Sequence, residues 1–404
     1  MSRTVFIILF LSLGVFSNEK KKKYSCNRPI KISIDIKELE QEAKDNNMLK
    51  GRGKHSYVIR AYVKQELKPY LTFGEVKKEG KQEYFKISFI PKKGYKFVAI
   101  KIIEINRYDK LKRKHVLQET RILKKVSDKS KDITPKLYYC GHLEEDKDVM
   151  LLFLEYGKTS LKNYIKSKKR LPIEKKLSLS LQMASLVKNL HKLGVIHCDL
   201  KIDNFLIVNG ILKLIDFGTS QFNKRCRMSA YYIIPPEKSN KELYIENDVY
   251  EYRKYDVYSL GISFTRIFFE QNKKIKKLNT RMAKSREGDY IKRNRDLLNY
   301  IQDLLRQFKY TAETFKSRKA MIQAETNLFI YKYIFEILKG MLHYSPQERM
   351  NIKEVIRYLE SVFKLETFIF DSKIKSVEEF WDLLILNAKQ DHITQDKQRK
   401  TYKK

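Results

Sequence analysis

Residues 197 to 218 constrain this chain more than any other stretch. They begin His-Cys-Asp-Leu-Lys-Ile-Asp-Asn, continue as an apolar segment interrupted by Asn209-Gly210, and end in Asp216-Phe217-Gly218. Two apolar runs joined by Asn-Gly predict a tight β-hairpin, with strands over residues 205–208 and 211–215. Such a hairpin would hold the polar residues on its two flanks at a fixed spacing.

The polar residues beside this hairpin are those that chemistry on a phosphate chain requires. Asp199 would orient an attacking hydroxyl and accept its proton, and Lys201 would face the transferred phosphoryl group. Asn204 and Asp216 would hold Mg²⁺, which prefers oxygen ligands. A single Asp-Phe-Gly or His-x-Asp is more often an ordinary turn, but the joint pattern is much harder to obtain by chance.

This stretch resembles the catalytic and metal-binding loops of eukaryotic protein kinases. The resemblance covers about residues 49–363 and implies an α+β, two-lobed fold with a small β-rich N-lobe and a larger helical C-lobe. The N-lobe would span 49–157 with an insertion at 62–96, and the C-lobe 158–363 with a basic insertion at 271–311. ATP and Mg²⁺ are the implied cofactors, and the implied partners are proteins that offer Ser/Thr, at times Tyr, hydroxyls as acceptors.

The kinase resemblance also implies a nucleotide site in the N-lobe. Gly51 and Gly53, with Ser56 in place of a third glycine, would let a strand turn close over the phosphates. Lys101 would contact the inner phosphates, and Glu119, on a helix predicted over residues 112–126, would pair with it. The other implied ATP-binding residues are Val58 and Ala99 over the adenine ring, Leu154 behind it, Glu155 and Gly157 at its edge through their backbones, and Leu206.

In the C-lobe the resemblance implies residues that support the catalytic loop. Asp256 would tie down the backbone of that loop, and Arg349 would pair with Glu237 to hold the substrate-docking segment. Cys198 occupies the place where many kinases have an Arg beside the catalytic Asp. Without that cation we expect weak dependence on phosphorylation of the activation loop. Ala230 stands where a Thr is usual, which removes a contact to the catalytic base.

Finer details look most like the monopolar-spindle checkpoint kinases. These details are Gly-x-Gly-x-x-Ser, Leu-Glu-Tyr-Gly at the hinge, a small residue before Asp199, and Pro-Pro-Glu. The sequence Asp199-Leu-Lys201 also fits a preference for Ser/Thr. The alternative is a pseudokinase, a scaffold that binds nucleotide or partners without turnover. An enzyme is favoured because the reacting set is complete, namely Lys101, Glu119, Asp199, Asn204 and Asp216.

The N-terminal residues predict that the protein enters the secretory pathway. Residues 1–17 combine an early Arg, an apolar block and a small residue before Asn18, which is the pattern of a secretory signal peptide. The block is shorter than the about 20 apolar residues that a membrane-crossing helix needs. We therefore expect a secreted or secretory-pathway protein, with nucleus or cytoplasm as the alternative. Residues 18–48 are interpreted as a basic linker with a strand, and residues 364–404 as a helix and a basic tail.

Charge and cysteine content restrict the possible functions less than the motifs do. The chain has 84 Lys plus Arg against 48 Asp plus Glu, a net charge of +36. This balance permits binding to polyanions or membrane surfaces, but the lysines are spread along the chain, so a compositional bias explains them equally well. The four cysteines, Cys26, Cys140, Cys198 and Cys226, show no C-x-x-C spacing and predict neither a zinc nor a redox motif.

Overall fold

A computed structural model of the chain describes most of the two lobes. The described residues are 29–33, 35–52, 56–69, 81–105, 110–144, 146–168, 170–224, 226, 235–239, 249–269, 272–282, 289–312 and 318–370. The predicted signal peptide, Gly53, Ala230 and the tail beyond residue 370 therefore lie outside the described residues. No helix in the described part of the chain is long and apolar enough to cross a membrane.

The N-lobe is built on one seven-stranded sheet with two helices. In chain order its elements are β1 (Pro29–Ile32), α1 (Ile36–Asp45), β2 (Leu49–Arg52), β3 (Ser56–Pro69), β4 (Lys81–Ser88), β5 (Lys96–Glu104), α2 (Lys110–Lys129), β6 (Leu137–Leu143) and β7 (Val149–Glu155). The strand order is β2-β3-β4-β1-β6-β7-β5, and β3 also pairs with β5. Six of the strands thus form a closed ring, in which β1 runs parallel to both of its neighbours, β4 and β6.

The lobe begins earlier in the chain than the sequence indicated. The segment interpreted as a basic linker with a strand supplies both β1 and α1, and both are part of the N-lobe core. In α1, Leu39 and Ala43 are fully buried, as expected of positions four apart on one helical face. The side chain of Asp35 caps the helix by accepting a hydrogen bond from the Lys37 N–H. The N-lobe boundary therefore lies at or before Pro29 rather than at residue 49.

The insertion expected at residues 62–96 is an extended hairpin. Strands β3 and β4 pair antiparallel from Tyr62 opposite Ser88 to Pro69 opposite Lys81. The first half of β3 pairs instead with β5, with Val58 opposite Lys101. One long strand therefore carries both the wall of the nucleotide site and the stem of the insertion.

The C-lobe is mainly helical, with short strands at its upper surface. Its elements are β8 (Thr159–Ser160), α3 (Leu161–Ser167), α4 (Ile173–Lys192), β9 (Val195–Ile196), a 3₁₀ turn (Ile202–Asn204), β10 (Phe205–Val208), β11 (Ile211–Leu214), β12 (Gln221–Phe222), α5 (Pro236–Ser239), α6 (Val249–Phe268), α7 (Lys273–Met282), α8 (Asp289–Ala312), α9 (Arg318–Met341) and α10 (Ile352–Phe370). Fully buried side chains from α4, α6 and α9, among them Leu190, Tyr258 and Leu338, form its core. The described lobes together give the α+β, two-lobed fold that the sequence predicted.

The hairpin predicted from Asn209-Gly210 is confirmed. Strands β10 and β11 pair antiparallel from Phe205 opposite Leu214 to Val208 opposite Ile211. Asn209 and Gly210 have φ values of +50° and +83°, the left-handed backbone that a two-residue hairpin turn requires and that Asn and Gly tolerate.

The basic insertion at 271–311 is more ordered than the sequence suggested. A mobile loop was expected over part of it, with helical spacing only near residues 297–308. The structure has α7 and α8 here, joined outside the described residues. Ile275, Leu297 and Ile301 are buried in the C-lobe core. A few apolar residues at helical spacing were enough to dock two Lys-rich helices, because their charged side chains can remain in solvent.

Candidate active site

The backbone before the catalytic aspartate is held by one buried carboxylate. Asp256, on α6, has no exposed surface. Its two oxygens accept hydrogen bonds from the backbone N–H groups of His197 and Cys198, both at 2.8 Å. His191 Nε2 lies 2.9 Å from the same carboxylate. The loop is thereby fastened to the C-lobe core immediately before Asp199, the role that the kinase resemblance implies for Asp256.

Two side chains converge on Asp199. Lys201 Nζ donates to Asp199 Oδ2 at 2.6 Å, and Asn204 Nδ2 lies 3.2 Å from the same oxygen. Asn204 Nδ2 also donates to the backbone carbonyl of Asp199 at 2.9 Å. These contacts fix the rotation of the Asp199 carboxylate, whose residue is 6% exposed. The arrangement places a carboxylate and an amino group side by side in the C-lobe.

Asp216 is held in an unusual backbone conformation beside this group. Its φ is +65°, a left-handed value that costs a non-glycine residue about 1–3 kcal/mol. Its neighbour Phe217 is buried, with its ring 5.3 Å from the His197 ring, and the Ile215 N–H donates to the Asn204 carbonyl at 3.0 Å. Burial of Phe217 on one side therefore leaves the Asp216 carboxylate exposed on the other, near Asn204.

The cation of the N-lobe is paired as the sequence predicted. Lys101 Nζ on β5 lies 2.5 Å from Glu119 Oε1 on α2, and the two side chains are 18% and 12% exposed. Burial lowers the pKa of Lys101, but the charges of Glu119 and Asp216 and the hydrogen bond to Glu119 outweigh it, so the net pKa is raised above 10.5. Glu119 of the N-lobe and Asp216 of the C-lobe therefore both favour the charged form of Lys101.

Helix α2 is also joined to the segment that follows Phe217-Gly218. Gln118 Nε2 donates to the backbone carbonyl of Ser220 at 2.8 Å. A Cβ atom added at Gly218 would lie 3.3 Å from Asp216 Oδ1 and 3.6 Å from Glu119 Oε2. The lobes thus meet with Glu119 and Asp216 on either side of Gly218, so that the Lys101–Glu119 pair of the N-lobe lies near Asp216 of the C-lobe.

The structure places the other residues of the implied nucleotide site on neighbouring strands of the N-lobe sheet. Val58 lies opposite Lys101, and Ala99 lies opposite Leu154. Gly51, on β2, lies opposite Val58. Ser56 begins β3, where it lies opposite Ile103.

The hinge after Leu154 makes contacts that the sequence did not reveal. The Glu155 N–H donates to the Lys136 carbonyl at 2.8 Å, so any backbone contact of Glu155 with a nucleotide would have to come from its carbonyl oxygen. The Glu155 carboxylate accepts a hydrogen bond from Lys213 Nζ at 2.7 Å. Gly157 packs so closely on Leu206 that an added Cβ would overlap the leucine side chain. These contacts place Leu206 directly beneath the hinge.

A buried ion pair holds the far side of the C-lobe. Both terminal nitrogens of Arg349 donate to the two oxygens of Glu237 at 2.7 Å, and the two residues are 1% and 2% exposed. Arg349 also donates to the backbone carbonyls of His343 and Lys254, each at 3.0 Å. These bonds fasten α5, which follows the activation segment, to the loop before α10.

Sequence reasoning missed a disulfide at the centre of the site. Cys198, directly before Asp199, is bonded to Cys226, with the two Cα atoms 5.5 Å apart. Cys140 is also disulfide-bonded. The sequence showed no cysteine motif and left the state of the cysteines open. The spacing of 28 residues between Cys198 and Cys226 matches no motif, and only the fold brings these two cysteines together.

Two other residues that shape the site were also missed. Lys213 is 9% exposed and is the one charged residue in the apolar strand β11. That position was the available signal, because a lysine is rarely buried without a partner. Gln118 gave no signal, since a glutamine next to Glu119 on a helix is ordinary.

Comparison with known proteins agrees with this geometry. Residues 86–359 match the protein kinase domain family, and the chain belongs to that family. The match begins inside β4, so the predicted glycine-rich turn and Val58 lie before it.

Curated relatives include the serine/threonine-protein kinase MPS1 of Encephalitozoon cuniculi, 28% identical over 250 residues, which are 60% of this chain and 39% of that protein. Another is the NUAK family SNF1-like kinase 1 of Mus musculus, 27% identical over 168 residues, 41% of this chain and 24% of that protein. A third is the probable serine/threonine-protein kinase fnkE of Dictyostelium discoideum, 33% identical over 137 residues, 32% of this chain and 10% of that protein. The chain thus spans about two fifths or less of the length of these relatives.

Proposed function

We propose that this protein is a serine/threonine-protein kinase that transfers the γ-phosphoryl group of ATP to hydroxyl groups of protein substrates. The observation that carries the proposal is the convergence of Lys201 and Asn204 on Asp199, at 2.6 and 3.2 Å. The paired cation Lys101 completes the set, since its pKa is raised partly by Asp216 across the cleft. The family membership and the names of the relatives support the same activity.

In the proposed reaction Asp199 orients the substrate hydroxyl and takes its proton. The hydroxyl oxygen forms a bond to the γ-phosphorus, the bond from that phosphorus to the bridging β-phosphate oxygen breaks, and ADP leaves with the electron pair. Lys201, next to Asp199, would stabilise negative charge on the transferred group. The step depends on positioning and charge and needs no covalent intermediate with the protein.

The donor atoms around Asp216 fit Mg²⁺. The amide nitrogen of Asn204 is used by Asp199, which leaves its amide oxygen as the atom that would coordinate a cation, together with the exposed carboxylate of Asp216. Oxygen ligands of this kind suit Mg²⁺ held between protein and phosphates. Bound Mg²⁺ would neutralise charge on the phosphate chain.

The test is transfer of labelled phosphate from ATP to a generic basic protein. We expect Asp199→Asn to lower the rate by about 10²- to 10⁴-fold, the usual contribution of a positioned base. Asp203→Asn is the matched control, because Asp203 lies in the same loop but pairs with the exposed Lys162, and it should retain most of the activity. Transfer that survives Asp199→Asn would contradict the proposal. Nucleotide binding without any transfer by the wild type would favour the pseudokinase scaffold.

The acceptor class follows from Lys201 and from the serine/threonine kinases among the relatives. Profiling on a peptide library should show Ser and Thr as the main acceptors, with Tyr weak. A profile dominated by Tyr would contradict this assignment.

We also propose that the protein works in the secretory pathway. The support from the described residues is the buried Cys198–Cys226 disulfide, because such bonds persist in oxidising compartments and are rare in reducing ones. Expression in a secreting cell should release a chain that begins near Asn18. Retention of the uncleaved chain inside the cell would contradict the proposal.

A further inference from the structure

We propose that the Cys198–Cys226 disulfide is a positioning element of the active site. It would hold the catalytic loop and the start of the activation segment together by a covalent bond and not by a phosphorylation-dependent contact. The inference rests on the proposed kinase function. Its structural basis is that one sulfur belongs to the residue directly before the catalytic base and the other to the segment that follows Phe217-Gly218.

The loop end of the disulfide is a residue that has to be held in place. Cys198 has a φ of +66°, and a non-glycine residue keeps such a conformation only when its surroundings impose it. Two restraints act on it, the hydrogen bond from its N–H to Asp256 Oδ1 at 2.8 Å and the bond to Cys226. Asp256 fixes the backbone, and the disulfide fixes the side chain. The conformation of Cys198 sets the direction in which the chain enters Asp199.

The other end of the disulfide closes a series of contacts along the activation segment. The Ser220 and Thr219 hydroxyls donate to the His197 carbonyl at 3.0 and 3.2 Å. Strand β12 then pairs with β9, with Gln221 opposite Ile196. The disulfide at Cys226 returns the segment to the loop once more. Every one of these contacts holds the first part of the segment against the residues before Asp199.

The surroundings of the disulfide are apolar. Cys198 and Cys226, 0% and 4% exposed, cluster with the buried Ile196 and Tyr255, and Tyr252 packs against them. A disulfide suits such a place because it carries no charge, whereas burying a charged group among these apolar side chains costs free energy. The chemistry of this position therefore favours a covalent restraint over an ionic one.

The first experiment compares Cys198→Ser, Cys226→Ser and the double variant with the wild type. Each change removes the same covalent bond, so we expect the three variants to lose kcat to a similar extent, about 10- to 100-fold, the range in which a misplaced catalytic group costs activity. The KM for ATP should change little, because Lys101 and Glu119 lie on the other lobe. An unchanged kcat, or losses that multiply in the double variant, would overturn the proposal. If the disulfide had a purely structural role, the variants would give less folded enzyme, and the folded enzyme would keep the kcat of the wild type.

The second experiment makes the bond reversible. In a variant with Cys26→Ser and Cys140→Ser, Cys198 and Cys226 are the only cysteines left. Dithiothreitol would reduce their disulfide to two thiols while itself becoming a cyclic disulfide. Oxidised glutathione would then accept two electrons and two protons from the two thiols and become two molecules of reduced glutathione. The disulfide would thereby form again. We expect kcat to fall on reduction and to recover on oxidation. Full activity of the reduced enzyme, with both thiols titrated, would overturn the proposal.

Hydrogen exchange separates this inference from the proposed function. In the same serine variants we expect faster amide exchange in peptides that cover residues 195–205, with no change in peptides from α10. Unchanged exchange in the loop would overturn the positioning role. A wild type that transfers no phosphate would contradict the kinase assignment, whereas the exchange measurement would still decide whether the disulfide orders the loop.

Discussion

Lys213 on β11 donates a 2.7 Å hydrogen bond to the carboxylate of Glu155 at the end of β7. This contact joins the hinge of the N-lobe to the hairpin that carries Asp216. The Lys136 N–H also donates to the Glu155 carboxylate, at 3.1 Å, and Lys213 donates to the Lys131 carbonyl at 3.0 Å. Burial raises the pKa of Glu155, but its bonds to Lys213 and Lys136 and the charges of Lys213 and Lys96 outweigh this, so the net pKa is below 4.5.

The lowered pKa of Glu155 predicts a pH-dependent contribution to stability. Because the folded-state pKa lies below the ordinary 4.5, the ionised carboxylate stabilises the fold above that pH and loses its contribution as the pH falls through the folded-state value. Urea unfolding of wild type and Glu155→Gln should therefore differ most at neutral pH and converge as the pH falls below the folded-state pKa. Glu336→Gln, which breaks an exposed pair with Lys339, is the control. A difference for Glu155→Gln that does not vary with pH would contradict the assignment.

The Lys101–Glu119 pair predicts a shift in the alkaline limit of ATP binding. The raised pKa keeps Lys101 charged, with its contribution fully present below 10.5 and lost as the pH rises through the folded-state value. In Glu119→Gln the charge that raises the pKa most is gone, so the KM for ATP should begin to rise at lower pH than in the wild type. Glu104→Gln, at the exposed end of β5, is the control. Identical pH profiles of KM for wild type and Glu119→Gln would contradict the prediction.

Arg349→Met should be the most destabilising of the single changes considered. It leaves the Glu237 carboxylate buried without its cation, which typically costs about 3–5 kcal/mol of the free energy of unfolding. Arg306→Met breaks an exposed pair with Asp303 and should cost less than about 1 kcal/mol. Denaturant titration measures both. Equal losses in the free energy of unfolding for the two variants would show that burial of the Arg349–Glu237 pair does not increase its contribution to stability.

Gly157→Ala should weaken ATP binding through Leu206. The added methyl group overlaps the leucine side chain, and overpacking of this kind costs about 1–3 kcal/mol, which corresponds to about 5- to 150-fold in KM. Combining it with Leu206→Ala removes the overlap, so the double variant should bind ATP better than the two single effects added together predict. If the free-energy changes calculated from KM for the two single variants add up to the change for the double variant, the two residues do not act on each other.

Activity should depend little on phosphorylation of the activation segment. Cys198 stands where an Arg is usual, so no cation is offered to a phosphate at that position. The wild type should retain most of its kcat after treatment with a phosphatase that removes all detectable phosphate by mass spectrometry. A loss of more than about tenfold, the size expected when positioning fails, would show that a phosphate group is required.

Much of the site could be predicted because its residues follow one another in sequence. The hairpin turn at Asn209-Gly210 and the spacing from Asp199 to Asp216 are local properties, and a local pattern determines them. The Lys101–Glu119 and Arg349–Glu237 pairs could be expected only through the family resemblance, since the partners lie far apart in the chain.

The unpredicted parts depend on long-range contacts without a local signal. The Cys198–Cys226 bond exists because β12 returns along β9, and nothing in the spacing of the cysteines shows that path. Helix α1 could not be distinguished from a linker because its apolar face is narrow, with Leu39 and Ala43 as its fully buried residues. In α7, Ile275 is buried between lysines at positions 273, 274, 276 and 277, a pattern that periodicity alone cannot distinguish from a loop.

The position of β1 in the closed ring has a consequence for biosynthesis. Pro29 and Ile30 lie opposite His142 and Leu143 of β6, so β1 cannot pair with β6 until roughly 110 further residues have been made. At ordinary rates of synthesis this is a wait of about 5–20 seconds. During that interval β1 can pair with β4 through Lys31 and Ile32, but its edge toward β6 stays unpaired. The N-lobe ring can therefore close only after β6 has left the ribosome, which makes it one of the later events in the folding of this lobe.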